Sequence, residues 1–296
     1  MPPIFLRKRS LEETVLAHTR RALRMMLAIP AARAPDLARI EDFEIPGAET
    51  ALRARFYEPA AAGAPLEPLF LYFHGGGFTT CDIDTHDSVC SWLAKASGAR
   101  LLSVGYRLAP ETRFPGQWDD ARAACAWAFA NAERLGALPH KLVLCGDSAG
   151  AWLAAMMALE INRASPGAVP LQILLYPLVH VEDGLWADEE IRNFRFVGRL
   201  AVLYIARSLG AEPFPSLLDV DLSASPATII AGGGPLDPVR ADVRAYIAAL
   251  RAKGAHVLER KYPELLHGGL NLTAFSKTAI NVLNEVGALA RAKLNA

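Results

Sequence analysis

The rhythm of hydrophobic positions changes along this chain, and each change predicts an element. Between residues 10 and 29, Leu11, Val15, Leu16, Leu23, Met26 and Leu27 recur at helical spacing, and Pro30 and Pro35 close the pattern, which predicts an N-terminal helix. From 40 to 58 the pattern shortens to two extended runs, Phe43 to Pro46 and Leu52 to Tyr57, followed by an Ala-, Gly- and Pro-rich turn from Pro59 to Pro68. Solid apolar runs of strand length come next: Leu69 to Phe73, Leu101 to Val104, Leu142 to Cys145, Leu171 to Leu175 and Thr228 to Ala231, each followed by a turn signal and a helix-like stretch. A run that is apolar throughout has to be covered on both faces, so the expected fold class is α/β, a mostly parallel central sheet with helices on both sides. Residues 182 to 220 interrupt the alternation with an acidic and aromatic stretch and a helical run, Val197 to Leu209. Together with the N-terminal helix, this insertion is expected to form a helical cap. The resulting division is a cap segment over 1–45 and a main domain over 46–296, with a cap insertion at about 182–220.

Composition narrows the partners. Lysine plus arginine and aspartate plus glutamate both number 31, so no net field recruits nucleic acid or an anionic membrane, and a small neutral molecule is the expected partner. Cys81, Cys90, Cys125 and Cys145 show no metal-ligand spacing and are read as reduced thiols of a cytoplasmic protein. The apolar run Met25 to Ile29 is too short for a signal peptide, and no run approaches a membrane span, so no stable membrane insertion is expected.

In parallel sheets, sites gather at the carboxyl ends of the strands. There, directly after Lys141 to Cys145 and before a helical run from Ala151 to Ile161, stands Gly146-Asp147-Ser148-Ala149-Gly150. A sharp strand-to-helix turn of this kind exposes the serine hydroxyl as a nucleophile, and the helix amino terminus favours negative charge beside it. His74-Gly75-Gly76-Gly77 follows the strand Leu69 to Phe73; its amides suit an oxyanion, and the hole is assigned to Gly75, Gly76 and Ala149. A serine needs an imidazole base oriented by a carboxylate. Of seven histidines, His267 follows a strand-like run from His256 to Tyr262 and precedes Gly268 and Gly269. Asp237 lies in a Gly- and Pro-rich turn after Thr228 to Ala231, with Asp242 in the following helical stretch as the alternative acid. Phe78, Asp147 and His86, beside these motifs, are taken as candidate substrate contacts. The catalytic set needs no metal or organic cofactor, and Gly232 to Gly234 lack the lysine of a phosphate loop.

Four blocks together resemble the hormone-sensitive-lipase-like family of α/β-hydrolases, the bacterial family IV esterases: HGGGF at His74 to Phe78, YRLAPE at Tyr106 to Glu111, GDSAG at Gly146 to Gly150, and DPVRAD from Asp237 with Tyr246. The likeness spans about residue 40 to the end. It implies an α/β-hydrolase catalytic domain over 46–296, a Ser148, Asp237, His267 triad, an oxyanion hole from the HGGG glycines, and a cap that limits acyl size. It also implies a structural role for Tyr106, Arg107, Pro110 and Glu111. Where the family's histidine block reads HGF, Gly269 stands here, and Cys81 occupies a position where the family has glycine. The expected activity is serine carboxylesterase action on short- to medium-chain acyl esters. The alternatives are a ligand-binding protein on a hydrolase scaffold, or an amidase or lactonase with the same triad. A homodimer is compatible with either.

Overall fold

The computed structural model describes residues 11–28, 31–60, 67–181, 203–210 and 213–296. Eight strands form one sheet: β1 (Leu37–Pro46), β2 (Ala51–Pro59), β3 (Pro68–Phe73), β4 (Leu101–Gly105), β5 (Leu138–Asp147), β6 (Leu171–Leu175), β7 (Ala227–Gly232) and β8 (Val257–Lys261), in the order β1-β2-β4-β3-β5-β6-β7-β8. The β1–β2 and β2–β4 pairs are antiparallel, and every pair from β4–β3 to β7–β8 is parallel. All residues of β3 and β6 are buried, as expected in a doubly covered sheet, and Gln172 among them donates to Thr228 Oγ1 at 2.9 Å.

Seven helices lie among the described residues: α1 (Leu11–Ala28), α2 (Asp87–Ser97), α3 (Gly116–Asn131), α4 (Ala149–Ala164), α5 (203–209), α6 (Arg240–Ala252) and α7 (Lys277–Leu294). None of them is long and apolar enough to cross a membrane. Almost every residue of α4 is buried, because this Ala-rich helix runs behind the central strands and carries Trp152 into a cluster with Phe78, Trp118 and Phe214.

The expected boundary at 45/46 requires correction. Phe43 pairs with Ala54 and Ile45 with Leu52, so residues 37–46 are an edge strand of the sheet and not part of a cap. The strand is largely exposed and charged, so only its end, Phe43 to Pro46, reads as extended, and its first half falls into the cap segment. Of the expected insertion, α5 and the stretch from 213 are described; the start of the helical run at Val197 lies outside the described residues.

Helices α2 and α7 meet at a glycine. A Cβ on Gly287 would stand 2.4 Å from Ala96 Cβ and 2.8 Å from the helix backbone. Gly287→Leu is expected to force these helices apart and cost about 1–3 kcal/mol, read as a lowered thermal midpoint; an unchanged midpoint would show that α7 repacks freely.

Candidate active site

Strand β5 ends at Asp147 and α4 begins at Ala149, so Ser148 makes the turn alone, with φ 50° and ψ −117°. An L-residue rarely occupies this region, and it persists only where its surroundings over-determine it. Ser148 N donates to Leu175 O at 2.9 Å, and Ser148 O accepts from Leu178 N at 3.0 Å and Ala151 N at 3.1 Å. The flanking glycines are required by contact: a Cβ on Gly146 would lie 2.4 Å from the Gly150 carbonyl, and one on Gly150 would lie 2.0 Å from Phe73 O.

From this turn Ser148 Oγ reaches His267 Nε2 at 2.9 Å, and His267 Nδ1 lies 3.0 Å from Asp237 Oδ1. Asp237 is fully buried and also accepts from Val239 N at 3.1 Å. The glycines before it explain how acid and base meet. A Cβ on Gly233 would reach the Asp237 carboxylate at 2.2 Å, and one on Gly234 would strike Pro263 O at 1.9 Å. Gly234 N donates to Leu265 O at 2.9 Å, so the acid turn is laced directly onto the loop carrying His267. Asp242, the alternative acid, lies against His180 at 3.4 Å.

Burial disfavours a charge on His267, but the Asp237 charge and hydrogen bond, with Asp147 further off, outweigh it, so the imidazole titrates above its ordinary 6.5. Only the neutral ring accepts the serine proton. Phosphonylation of Ser148 by an organophosphate is therefore expected to slow as the pH falls through a midpoint above 6.5; a midpoint below that value in a rate-against-pH measurement would show that Asp237 does not stabilise the imidazolium.

The glycine loop differs from expectation in one respect. Gly75 N donates to Asp147 Oδ1 at 2.8 Å, so this amide is occupied by a carboxylate and is removed from the assigned oxyanion hole. Gly76 and Gly77, at φ 107° and 60°, line the same cavity as Ser148 and His267. Among the described residues none accepts a hydrogen bond from the amides of Gly76, Gly77 or Ala149. Sequence alone does not show which of the three glycine amides a carboxylate captures.

Phe78 also requires correction. It is buried, at φ 60°, with its ring against Tyr106, Trp152 and Phe214, and it does not line the cavity. Asp147 and His86 do line it, but they face each other at 3.1 Å. Cys81 sits at φ 66°, the left-handed region glycine adopts without strain, which accounts for the family's preference there.

The cavity above these groups has a volume of about 1020 Å³. Apolar side chains supply most of its wall: Val15, Leu16 and Leu27 from α1, Ile205 from α5, and Leu178, Val181 and Val239 from the loops. Around it, Tyr106 Oη donates to His74 O at 2.7 Å, and Arg107 Nε binds Asp120 at 2.8 Å, the structural ties that the resemblance implied.

Residues 70–271 match the family described as alpha/beta hydrolase fold. The chain is 35% identical over 270 residues to the carboxylic ester hydrolase LipN of Mycobacterium tuberculosis, covering 86% of this chain and 71% of that protein. It is 32% identical over 260 residues to the esterase LipI of the same organism, covering 85% and 81%. The hyperthermophilic esterase from the archaeon Pyrobaculum calidifontis superposes with a TM-score of 0.84 at 29% identity, over 94% of this chain and 93% of that one. The chain thus belongs to the α/β-hydrolase family, on its hormone-sensitive-lipase-like side, among carboxylic ester hydrolases.

Proposed function

We propose that the protein is a serine carboxylesterase acting on short- to medium-chain acyl esters through an acyl-enzyme. The observation that carries this reading is the continuous line of contacts from Ser148 Oγ through His267 to Asp237 at one end of an apolar cavity. In this mechanism His267 Nε2 takes the Ser148 proton as Oγ attacks the acyl carbonyl, and Asp237 holds the ring orientation and stabilises the imidazolium. The amides of Gly76, Gly77 and Ala149 receive the oxyanion. The imidazolium then protonates the departing alkoxide; a water deprotonated by the same ring attacks the acyl carbon, and the ring returns that proton to Ser148 Oγ as the acid leaves.

No lysine, arginine or glutamate lines the cavity among the described residues, which favours substrates uncharged in both acyl and alcohol parts. Helices α1 and α5, which wall the cavity, act as its cap. A binding protein without turnover has no use for an imidazole aimed at its serine, and an amidase or lactonase differs only in the leaving group.

The test is hydrolysis of p-nitrophenyl butyrate. Ser148→Ala and Asp237→Asn are expected to lose on the order of 10⁴-fold or more in kcat, with Asp242→Asn near wild type. A folded wild-type protein that neither hydrolyses short and medium acyl esters nor reacts with an organophosphate would falsify the reading.

A further inference from the structure

Beneath the glycine loop lies a second buried group of polar side chains that the triad does not use. Asp147, immediately before the nucleophile, is almost wholly buried, and so is His86. The Asp147 carboxylate collects donors from separate elements: Tyr72 Oη from β3 at 2.8 Å, Gly75 N from the loop at 2.8 Å, and His86 Nε2, on the turn before α2, at 3.1 Å. The imidazole is itself fixed, with Nδ1 3.0 Å from Thr85 Oγ1. Gly75 and Asp147 are in such close contact that a Cβ on the glycine would lie 2.4 Å from Oδ2.

This arrangement has a consequence for the loop. Gly75 is the residue directly before the left-handed backbone of Gly76 and Gly77, so its anchored amide sets the point from which that turn starts. The anchor is a buried anion, which is stable only while it is paired and hydrogen-bonded. Of its side-chain partners, Tyr72 is a neutral phenol, and His86 is the one able to carry an opposing charge at this distance. Burial opposes charge on both members, yet their mutual attraction wins, holding the Asp147 carboxyl below and the His86 imidazole above its ordinary value.

We propose that His86 is a positioning residue for the esterase reaction: by pairing with Asp147 it keeps that carboxylate on the Gly75 amide and so aims the amides of Gly76 and Gly77 at the substrate oxygen. The proposal rests on the esterase reading above. Without His86, the carboxyl protonates or turns away, Gly75 is released, and the loop loses its aim while the apolar walls from α1 and α5 stay in place.

The experiment measures kcat and KM on p-nitrophenyl butyrate for His86→Ala, His86→Gln, Asp147→Asn and the His86→Ala/Asp147→Asn pair, with thermal midpoints alongside. His86→Ala is expected to lower kcat by on the order of 10²-fold with KM within about threefold. His86→Gln, whose amide NH2 can still donate to Asp147, is expected to recover most of the loss. In the Asp147→Asn background, where no buried charge needs a partner, removing His86 is expected to cost little more. A His86→Ala protein that raises only KM, or that has a lowered midpoint with wild-type kcat, overturns the proposal, as does a Gln variant no better than Ala. Additive losses in the pair do so as well. An inert wild-type protein overturns the esterase reading itself, an outcome distinct from all of these.

Discussion

The Gly150 Cα rests against the carbonyl oxygen of Phe73, so close that a single methyl group there would lie 2.0 Å from that oxygen. This contact between the first turn of α4 and the end of β3 brings two otherwise independent loops together at the carboxyl edge of the sheet. One loop ends in Ser148 and the other begins with Gly75. The strained φ of 50° at Ser148 survives because the sheet on either side fixes the turn, through Leu175 O on β6 and the packing on Phe73. The same contact sets Ser148 beside Gly76 and Gly77 at the edge of one cavity.

Close packing creates an electrostatic problem that the structure answers twice. Two aspartates, Asp147 and Asp237, are buried within the same region, and each faces an imidazole: Asp147 faces His86 and Asp237 faces His267. A lone buried carboxylate costs several kcal/mol, on the order of 3–5 when one partner of a pair is removed. The two pairs differ in access. His267 is partly open to the cavity and meets Ser148, whereas His86 only borders the cavity floor, is almost wholly buried, and faces Asp147. The first arrangement leaves an imidazole able to exchange protons with what enters; the second leaves a fixed dipole under the loop.

Much of this was legible in the sequence, and what was not has physical reasons. Largely apolar runs gave β3, β4, β6 and β7 nearly to the residue, since a doubly covered strand admits few polar side chains, here Ser103, Gln172 and Thr228. The GDSAG turn was legible because its glycines answer to local contacts, Gly146 on Gly150 and Gly150 on Phe73. Of strand β1 only Phe43 to Pro46 reads as extended, because its first half is exposed and charged, with nothing to set it apart from a surface segment. The Gly75 assignment failed for a different reason. Three successive glycines are indistinguishable in sequence, and only the partner 72 residues away, Asp147, tells which amide is occupied. Phe78 was mistaken for a cavity residue because its neighbours in sequence are; its φ of 60° turns the ring inward to Trp152 and Phe214.

The walls of the cavity raise the same point at longer range. Helix α1 brings Leu16 and Thr19 to the cavity, yet it comes from the opposite end of the sheet's chain order. What secures it is Arg20, whose guanidinium donates to Thr79 O at 2.7 Å and Ala109 O at 2.8 Å and binds Glu111 at 2.7 Å, with Arg24 bonded to Asp82 one turn further. Thr79 lies two residues beyond Gly77, and Phe78 O in between accepts from Ala109 N at 2.8 Å. The arginine therefore closes a ring through the end of the glycine loop and the YRLAPE segment. An exposed ion pair alone contributes little, about 0–1 kcal/mol, but two of these bonds go to backbone carbonyls of the main domain, which cannot move without moving the loop. The α1 wall of the cavity and the glycine loop are thus fastened to the same few peptide groups, and a displacement of one is a displacement of the other.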